Sequence, residues 1–395
     1  MALRPNPLLD AVVPPPIPEA QRWVEGRSFP SELPRLDLAQ AVPSEPPPPA
    51  MTDFLAARLS DPATARYSAI SGIPELRRAL ARDISARYSG NVSAEQVLIS
   101  AGCNQAFCLA TMSLASAGDE ILLPVPYYFN HQMWLDMLGI RSTHLPFRAD
   151  RGGVPDPADA RSRIGPRTRA IVLVSPNNPT GAIYPPEILR EFMALARSEG
   201  IALILDETYR DFTPRDAPPH GLFADADWEE TLVHLYSFSK AFAITGYRVG
   251  AVVAAASFIA QVEKAMDTIA ICAPRIGQEA ALFGLGSLQE WRALSADKLN
   301  QRLSALRHAL GSVSGYELVS AGAYFAYLKH PFRNRDGTAV AKWLATEQNM
   351  LCLPGSMFGP GQEAYLRLAF ANVDVEAMPR VAERLTRSLR GIGLD

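Results

Sequence analysis

Between about residue 52 and residue 287, short β-rich runs take turns with amphipathic helical segments, and few folds accommodate that rhythm. The runs are VLIS, EILL, AIVLV, IALILD, TLVHLY and VGAVV. Of the intervening segments, PELRRALARDISARY repeats Leu76, Leu80, Ile84 and Tyr88 along one face at i+4 spacing, as a core-facing helix does. Strands alternating with helices imply an α/β fold with a mostly parallel sheet covered on both faces. Such sheets bind ligands beyond the carboxyl ends of their strands, so polar residues at those ends come first.

The rest of the chain is organised differently. Residues 1–51 carry the proline clusters PPPIP and PPPP, which favour extended backbone and read as an arm laid over another part of the molecule. Pro18 suits the first position of a short helix in EAQRWVEG. After a long helical stretch over 276–310 come the strands YELV, YFAYL, LCLP and YLRLAF, with helices over 337–347 and 378–390. The division expected is an arm and part of a small domain at 1–51, a large domain at 52–287 and a small α+β domain at 288–395.

Thirty-eight basic and 41 acidic residues leave a formal charge of -3, which gives no bulk attraction for nucleic acid or an anionic membrane. The longest apolar run, from Gly250 to Ala260, is well short of the roughly 20 residues of a membrane span. Prolines 14 to 16 interrupt the place where a signal peptide needs apolar continuity. Cys103, Cys108, Cys272 and Cys352 form neither a CxxC pair nor a metal-ligand cluster; buried, reduced thiols and a cytoplasmic location are expected, with no metal.

Three strand ends carry unusual polar sets. AIVLV runs into Ser175-Pro176-Asn177-Asn178-Pro179-Thr180-Gly181, IALIL into Asp206-Glu207-Thr208-Tyr209, and TLVHLY into Ser237-Phe238-Ser239-Lys240. Singly, each has a plain reading: a turn, a helix cap, a solvated lysine. Jointly they supply what pyridoxal 5'-phosphate requires of a protein. Lys240 is an amine for a Schiff base, Asp206 an anion for the ring nitrogen, and Asn178 and Tyr209 donors to the ring oxygen. Ser237, Ser239 and Arg248 are phosphate contacts. Ser100 to Gln105, between a strand and a helix, offers a second cradle of backbone N–H groups.

With Arg248 following in TGYRVG, these segments match in type, order and spacing, and the chain resembles the fold-type I, class I/II aminotransferase family over about residues 36–375. The resemblance implies a large domain with a mostly parallel seven-stranded sheet flanked by helices, plus a smaller α+β domain built from the N-terminal segment and the C-terminal part. It places Gly102, Cys103 and Asn104 in the phosphate loop, Tyr128 on the cofactor face and His131 behind Asp206. It also places Arg367 on the substrate α-carboxylate, Ala41 near the substrate, where relatives commonly have glycine, and Tyr67 at the phosphate of a partner subunit. The activity implied is amino transfer from a small amino acid to a 2-oxo acid, in a ping-pong cycle through Lys240, by a homodimer with shared active sites. β-Elimination, racemisation, decarboxylation and amino acid oxidation use nearly the same residues and stay open.

Rival motifs are weaker. Ser237 to Lys240 also fits the S-x-x-K of serine hydrolases, but the SDN and KTG partners of that motif are absent from the chain. Gly284-Leu285-Gly286 follows a helical sequence rather than a strand, and Gln289 stands at its third glycine position. His144, His220, His234, His308 and His330 read as single surface or core histidines. Trp23, Tyr324 and Arg275 are further candidates for the pocket wall, with packing of the arm the competing role for Trp23. A binding protein that had lost catalysis would lack Lys240 or Asp206, and both are present.

Overall fold

The computed structural model describes residues 3–215 and 218–392. After β1 (Leu36–Asp37), seven strands build the central sheet: β2 (Val97–Ser100), β3 (Glu120–Pro124), β4 (Arg141–Leu145), β5 (Thr168–Val174), β6 (Ala202–Asp206), β7 (Leu232–Ser237) and β8 (Gly250–Val253). Their order is β2-β8-β7-β6-β5-β3-β4, and only β8 runs against its neighbours. Strands covered on both faces need apolar residues at consecutive positions, and β7 accordingly buries all six of its residues. The flanking helices pay out the matching stripes. Pro74–Tyr88 buries Leu76, Leu80, Ile84 and Tyr88, as its spacing predicts, and ends on Ser89 in the left-handed conformation. Pro186–Ser198 buries Ile188, Leu189, Phe192, Met193 and Leu195.

The remaining strands are β9 (Glu317–Gly322), β10 (Phe325–Lys329), β11 (Met350–Leu351), β12 (Leu353–Pro354) and β13 (Tyr365–Leu368). Four of them form an antiparallel sheet in the order β12-β13-β10-β9, while β11 pairs in parallel with β1. A second core lies here, around Phe325, Leu328, Leu344, Leu366 and Leu385. The segment read as one strand, LCLP, is thus split at Cys352, where the chain leaves β1 for the small sheet. The stretch over 276–310 is likewise two helices, Arg275–Ser287 and Gln289–Leu310, broken at Leu288. The Gly284-Leu285-Gly286 sequence lies inside the first of them.

The arm is more ordered than its prolines imply. Besides a turn of helix at Pro7–Asp10, the helix expected from Pro18 spans Pro16–Arg22, starting two residues early with Pro16 taking the first helical position. Ala20 and Val24 from the arm pack against Phe129, Leu353 and Phe358, tying it to both sheets' surroundings. Among the described residues no helix is long and apolar enough to cross a membrane.

Candidate active site

Strand register brings the three polar strand ends to one edge of the sheet. Asp206 sits between Val174 of β5 and Leu235 of β7, while Ser237 and Ser100 flank Gly250 from either side. Because β8 is reversed, it begins at this edge, which carries Arg248 there as well. The close approach depends on Gly250: a Cβ there would stand 2.7 Å from the Cys103 nitrogen and 2.8 Å from the Tyr236 oxygen. Beyond this edge opens a cavity of about 450 Å³, to which the small sheet contributes Arg367 and the arm Ile17 and Ala41.

Lys240 lies on the short helix Phe238–Ala241 that follows β7, and its Nζ donates to the Ala41 carbonyl at 2.7 Å. Burial, and then the charges of Arg248 and Arg367, lower its pKa to about 8. A usable fraction of the amine is therefore neutral near pH 7, as a nucleophile or base requires.

Asp206 is buried, with three groups around its carboxylate. The Thr208 N–H donates at 2.9 Å, the Cys103 thiol donates at 3.5 Å, and His131 Nε2 stands 3.4 Å away. Burial by itself favours a neutral carboxyl, but His131 and Thr208 outweigh it and hold Asp206 below its ordinary value. Burial and then the Asp206 charge push the Cys103 thiol well up, so it remains a protonated donor. His131 does not line the cavity; its ring stacks on Phe107 with centroids 3.9 Å apart, on the far side of the carboxylate.

The N-terminus of the helix Cys103–Leu114, Ser237, Ser239 and Arg248 stand together on the cavity wall, a set able to hold an anion. Arg248 is steered by donating to the Thr245 carbonyl at 2.9 Å and the Ala101 carbonyl at 3.4 Å. Gly102 has φ of 84°, and a Cβ there would collide with the Arg248 guanidinium. The turn thus needs glycine for its conformation and for the room.

Arg367, on β13 between Tyr327 and Leu353, is buried; it donates to Asn178 Oδ1 at 3.1 Å and to the Ala39 carbonyl. Its Nε has no partner, and among the described residues no carboxylate pairs with it. Burial lowers its pKa to about 10, so it is still cationic at neutral pH. A buried guanidinium without a counter-ion suits an anionic ligand. Tyr128 also lines the cavity, where its hydroxyl donates to Asn104 Oδ1 at 3.3 Å and accepts from Asn130 Nδ2 at 2.9 Å.

Cys103, Asn104, Asn178, Tyr209, Ser239 and the other cavity candidates from the sequence thus come together, with Gly102 shaping the cradle from outside the lining. Tyr67 does not join them: it is 74% exposed and lines no part of the cavity. Trp23 and Arg275 are also elsewhere, Trp23 under the Lys342 ammonium and Arg275 paired with Glu279 at 3.4 Å. Tyr324 borders a smaller adjoining cavity that shares Lys240. Asn130 and Thr208 were not anticipated, although Asn130 stands between Tyr128 and His131, and Thr208 between Asp206 and Tyr209. Nor was the meeting of His220 and His234 on Glu207, which leaves neither histidine single.

An amine of lowered pKa, a buried carboxylate held ionised and a guanidinium without a counter-ion thus meet at the carboxyl edge of the sheet. The family model for aminotransferase class I and II matches residues 35–385. An aromatic aminotransferase of Arabidopsis thaliana is 30% identical over 374 residues, covering 92% of each chain. An aspartate aminotransferase of Pyrococcus horikoshii is 29% identical over 336 residues, covering 84% of this chain and 85% of its own. The structure of Thermus thermophilus aspartate aminotransferase with maleate superposes with a TM-score of 0.88 at 26% identity, covering 98% of this chain and 100% of that one. The chain belongs to the class I and II aminotransferases, a family dependent on pyridoxal phosphate, and is an amino-group transferase.

Proposed function

We propose that Lys240, Asp206 and Arg367 carry out amino transfer from a small amino acid to a 2-oxo acid. The observation that supports this reading is their convergence on one cavity from three separate elements. The residues present fit pyridoxal phosphate: the cradle suits its phosphate, Asp206 its ring nitrogen, Asn178 and Tyr209 its ring oxygen, and Tyr128 its face. When bound, the cofactor supplies an electrophilic carbon for amines and a ring that takes up electrons as the substrate α-proton leaves.

Arg367 binds the substrate α-carboxylate through its guanidinium, and fixing that group selects which bond at Cα breaks. Lys240 Nζ, partly neutral at its lowered pKa, takes the α-proton and holds it for return. Asp206, held ionised by His131 and Thr208, would keep a proton on the cofactor's ring nitrogen. Ala41 bounds the substrate side, and its carbonyl accepts from Lys240 Nζ. His131 supports Asp206 from behind.

A single-turnover mixture with a good amino acid and no acceptor should yield one equivalent of 2-oxo acid per site and a stable pyridoxamine form. Free ammonia, carbon dioxide and oxygen uptake should all be absent. Ammonia accumulating over many turnovers would make the enzyme a lyase or oxidase and end the transamination reading. The names of the relatives, aromatic and aspartate aminotransferases, make those amino acids the first donors to screen.

We further propose a two-fold homodimer in which Tyr67 serves the partner's phosphate site. Its exposure within one chain supports this, as does the prevalence of closed two-fold dimers. Mixing inactive Tyr67 and Lys240 variants should restore part of the activity through hybrids with one intact site, whereas an active monomer at assay concentration refutes the arrangement. The arm at 1–51 and the units at 52–287 and 288–395 would each supply a wall of the cavity. Four free thiols support a cytoplasmic location.

A further inference from the structure

The turn leaving β6 sends its side chains in two directions. Asp206, Thr208 and Tyr209 line the cavity, whereas Glu207, Arg210 and Asp211 turn away from it into a buried polar layer. The Glu207 carboxylate is 2% exposed, and its Oε2 accepts from three donors: Tyr88 Oη, His234 Nε2 at 2.9 Å and His220 Nε2 at 3.2 Å. The Leu222 N–H donates to His220 Nδ1 at 3.2 Å, which leaves Nε2 as the protonated nitrogen of a neutral ring. Burial opposes ionisation of Glu207, but the two imidazoles outweigh it and hold the carboxyl well below its ordinary range.

The rest of the turn is anchored in the same layer. Arg210 donates to Asp83 and lies over the Tyr236 ring at 3.8 Å, while the Tyr236 hydroxyl donates to Asp211 at 2.8 Å. Arg292 bridges Asp83 at 3.2 Å and Asp211 at 3.4 Å. Burying charge in this way costs desolvation, and apolar residues of similar volume would stabilise a core at least as well. What three donors on one oxygen add is direction: they fix how the Glu207 side chain points, and through one peptide unit how its neighbours point.

We propose that Glu207, held by Tyr88, His220 and His234, is a positioning residue that keeps Asp206 and Tyr209 turned into the cavity. The proposal rests on the assignment of Asp206 to the cofactor ring nitrogen. Loosening Glu207 lets the Asp206 carboxylate drift from that nitrogen. A pyridine nitrogen that loses its proton removes a positive charge from the conjugated system, so the Lys240 imine protonates more readily and the pH midpoint of the bound cofactor's visible absorption rises.

The test compares Glu207→Gln, Tyr88→Phe and Asp206→Asn holoenzymes at full cofactor occupancy. For Glu207→Gln the midpoint should rise in the same direction as for Asp206→Asn but by less, and kcat should fall about tenfold with KM within about twofold, as for a misplaced catalytic group. Tyr88→Phe, which removes one donor of three, should give a smaller change of the same sign. A Glu207 serving stability alone would lower Tm and leave both midpoint and kcat per folded site at wild-type values, which overturns the proposal. If Glu207→Gln does not fold, Tyr88→Phe decides by the same two readings. If Asp206→Asn itself leaves the midpoint unmoved, the assignment of Asp206 has failed; a shift in Asp206→Asn alone means that only the role of Glu207 has.

Discussion

Lys240→Ala is expected to fold, to retain weak affinity for pyridoxal phosphate and to lose turnover by at least about 10⁴-fold, because one substitution removes both the nucleophile and the base. Folding should survive because the Lys240 ammonium makes only one hydrogen bond, to the Ala41 carbonyl. Ala41 is only partly buried and lines the cavity, so solvent can replace the lost donor and the cost is small. Removing a buried amine that Arg248 and Arg367 both repel when charged offsets part of this cost. Ser237, Ser239, Arg248 and the turn at Gly102, the proposed phosphate contacts, are untouched, so the cofactor should still bind, without a covalent link. Borohydride reduction separates the cases: in the wild type it should trap the cofactor on the peptide containing Lys240, and in the variant it should trap none. A colourless wild type that takes up no added cofactor, or a Lys240→Ala variant with unchanged rate, would sink the assignment.

Why Lys240, Asp206 and Asn178 were legible follows from the sheet. Parallel strands put their carboxyl ends on one edge, so polar sets that are far apart in sequence but each at a strand end are neighbours by construction. Arg367 is different. It stands in mid-strand in the small sheet, and only the family resemblance pointed to it. No period or spacing says that β13 faces that edge. The cluster on Glu207 was not legible at all, since Tyr88 ends a helix, His220 lies in a loop and His234 sits inside β7. Each has an adequate local explanation, and only the tertiary fold brings them to one oxygen. The helix break at Leu288 carries no glycine or proline at that position, and the early start at Pro16 was hidden among prolines that serve equally as extended backbone or as a first helical residue.

Asp206→Asn should leave the fold intact and lower turnover by about 10³-fold or more, the scale on which a lost electrostatic partner in an enclosed site is felt. The carboxylate is ionised because His131 and Thr208 overcome the penalty of burial, so a full negative charge faces the cavity. An amide of the same shape accepts from the Thr208 N–H and the Cys103 thiol with its oxygen, and turns its NH₂ toward His131. That would oppose two donors, but His131 Nδ1 has no partner of its own. The imidazole can therefore move its proton to Nδ1 and accept from the amide through Nε2, which keeps that hydrogen bond and leaves Nδ1 unpartnered as before. Local packing is thus preserved and the change is one of charge. A neutral amide does not hold a proton on a pyridine nitrogen, so the ring no longer accepts the electrons released at Cα. KM for the amino acid should change little, because Arg367, the proposed carboxylate site, stands on another strand. His131→Ala, which weakens Asp206 without neutralising it, should fall between wild type and Asp206→Asn. Stopped-flow measurement of the half-reaction reads the step directly, and a near-normal rate in Asp206→Asn would show that a different carboxylate serves the ring.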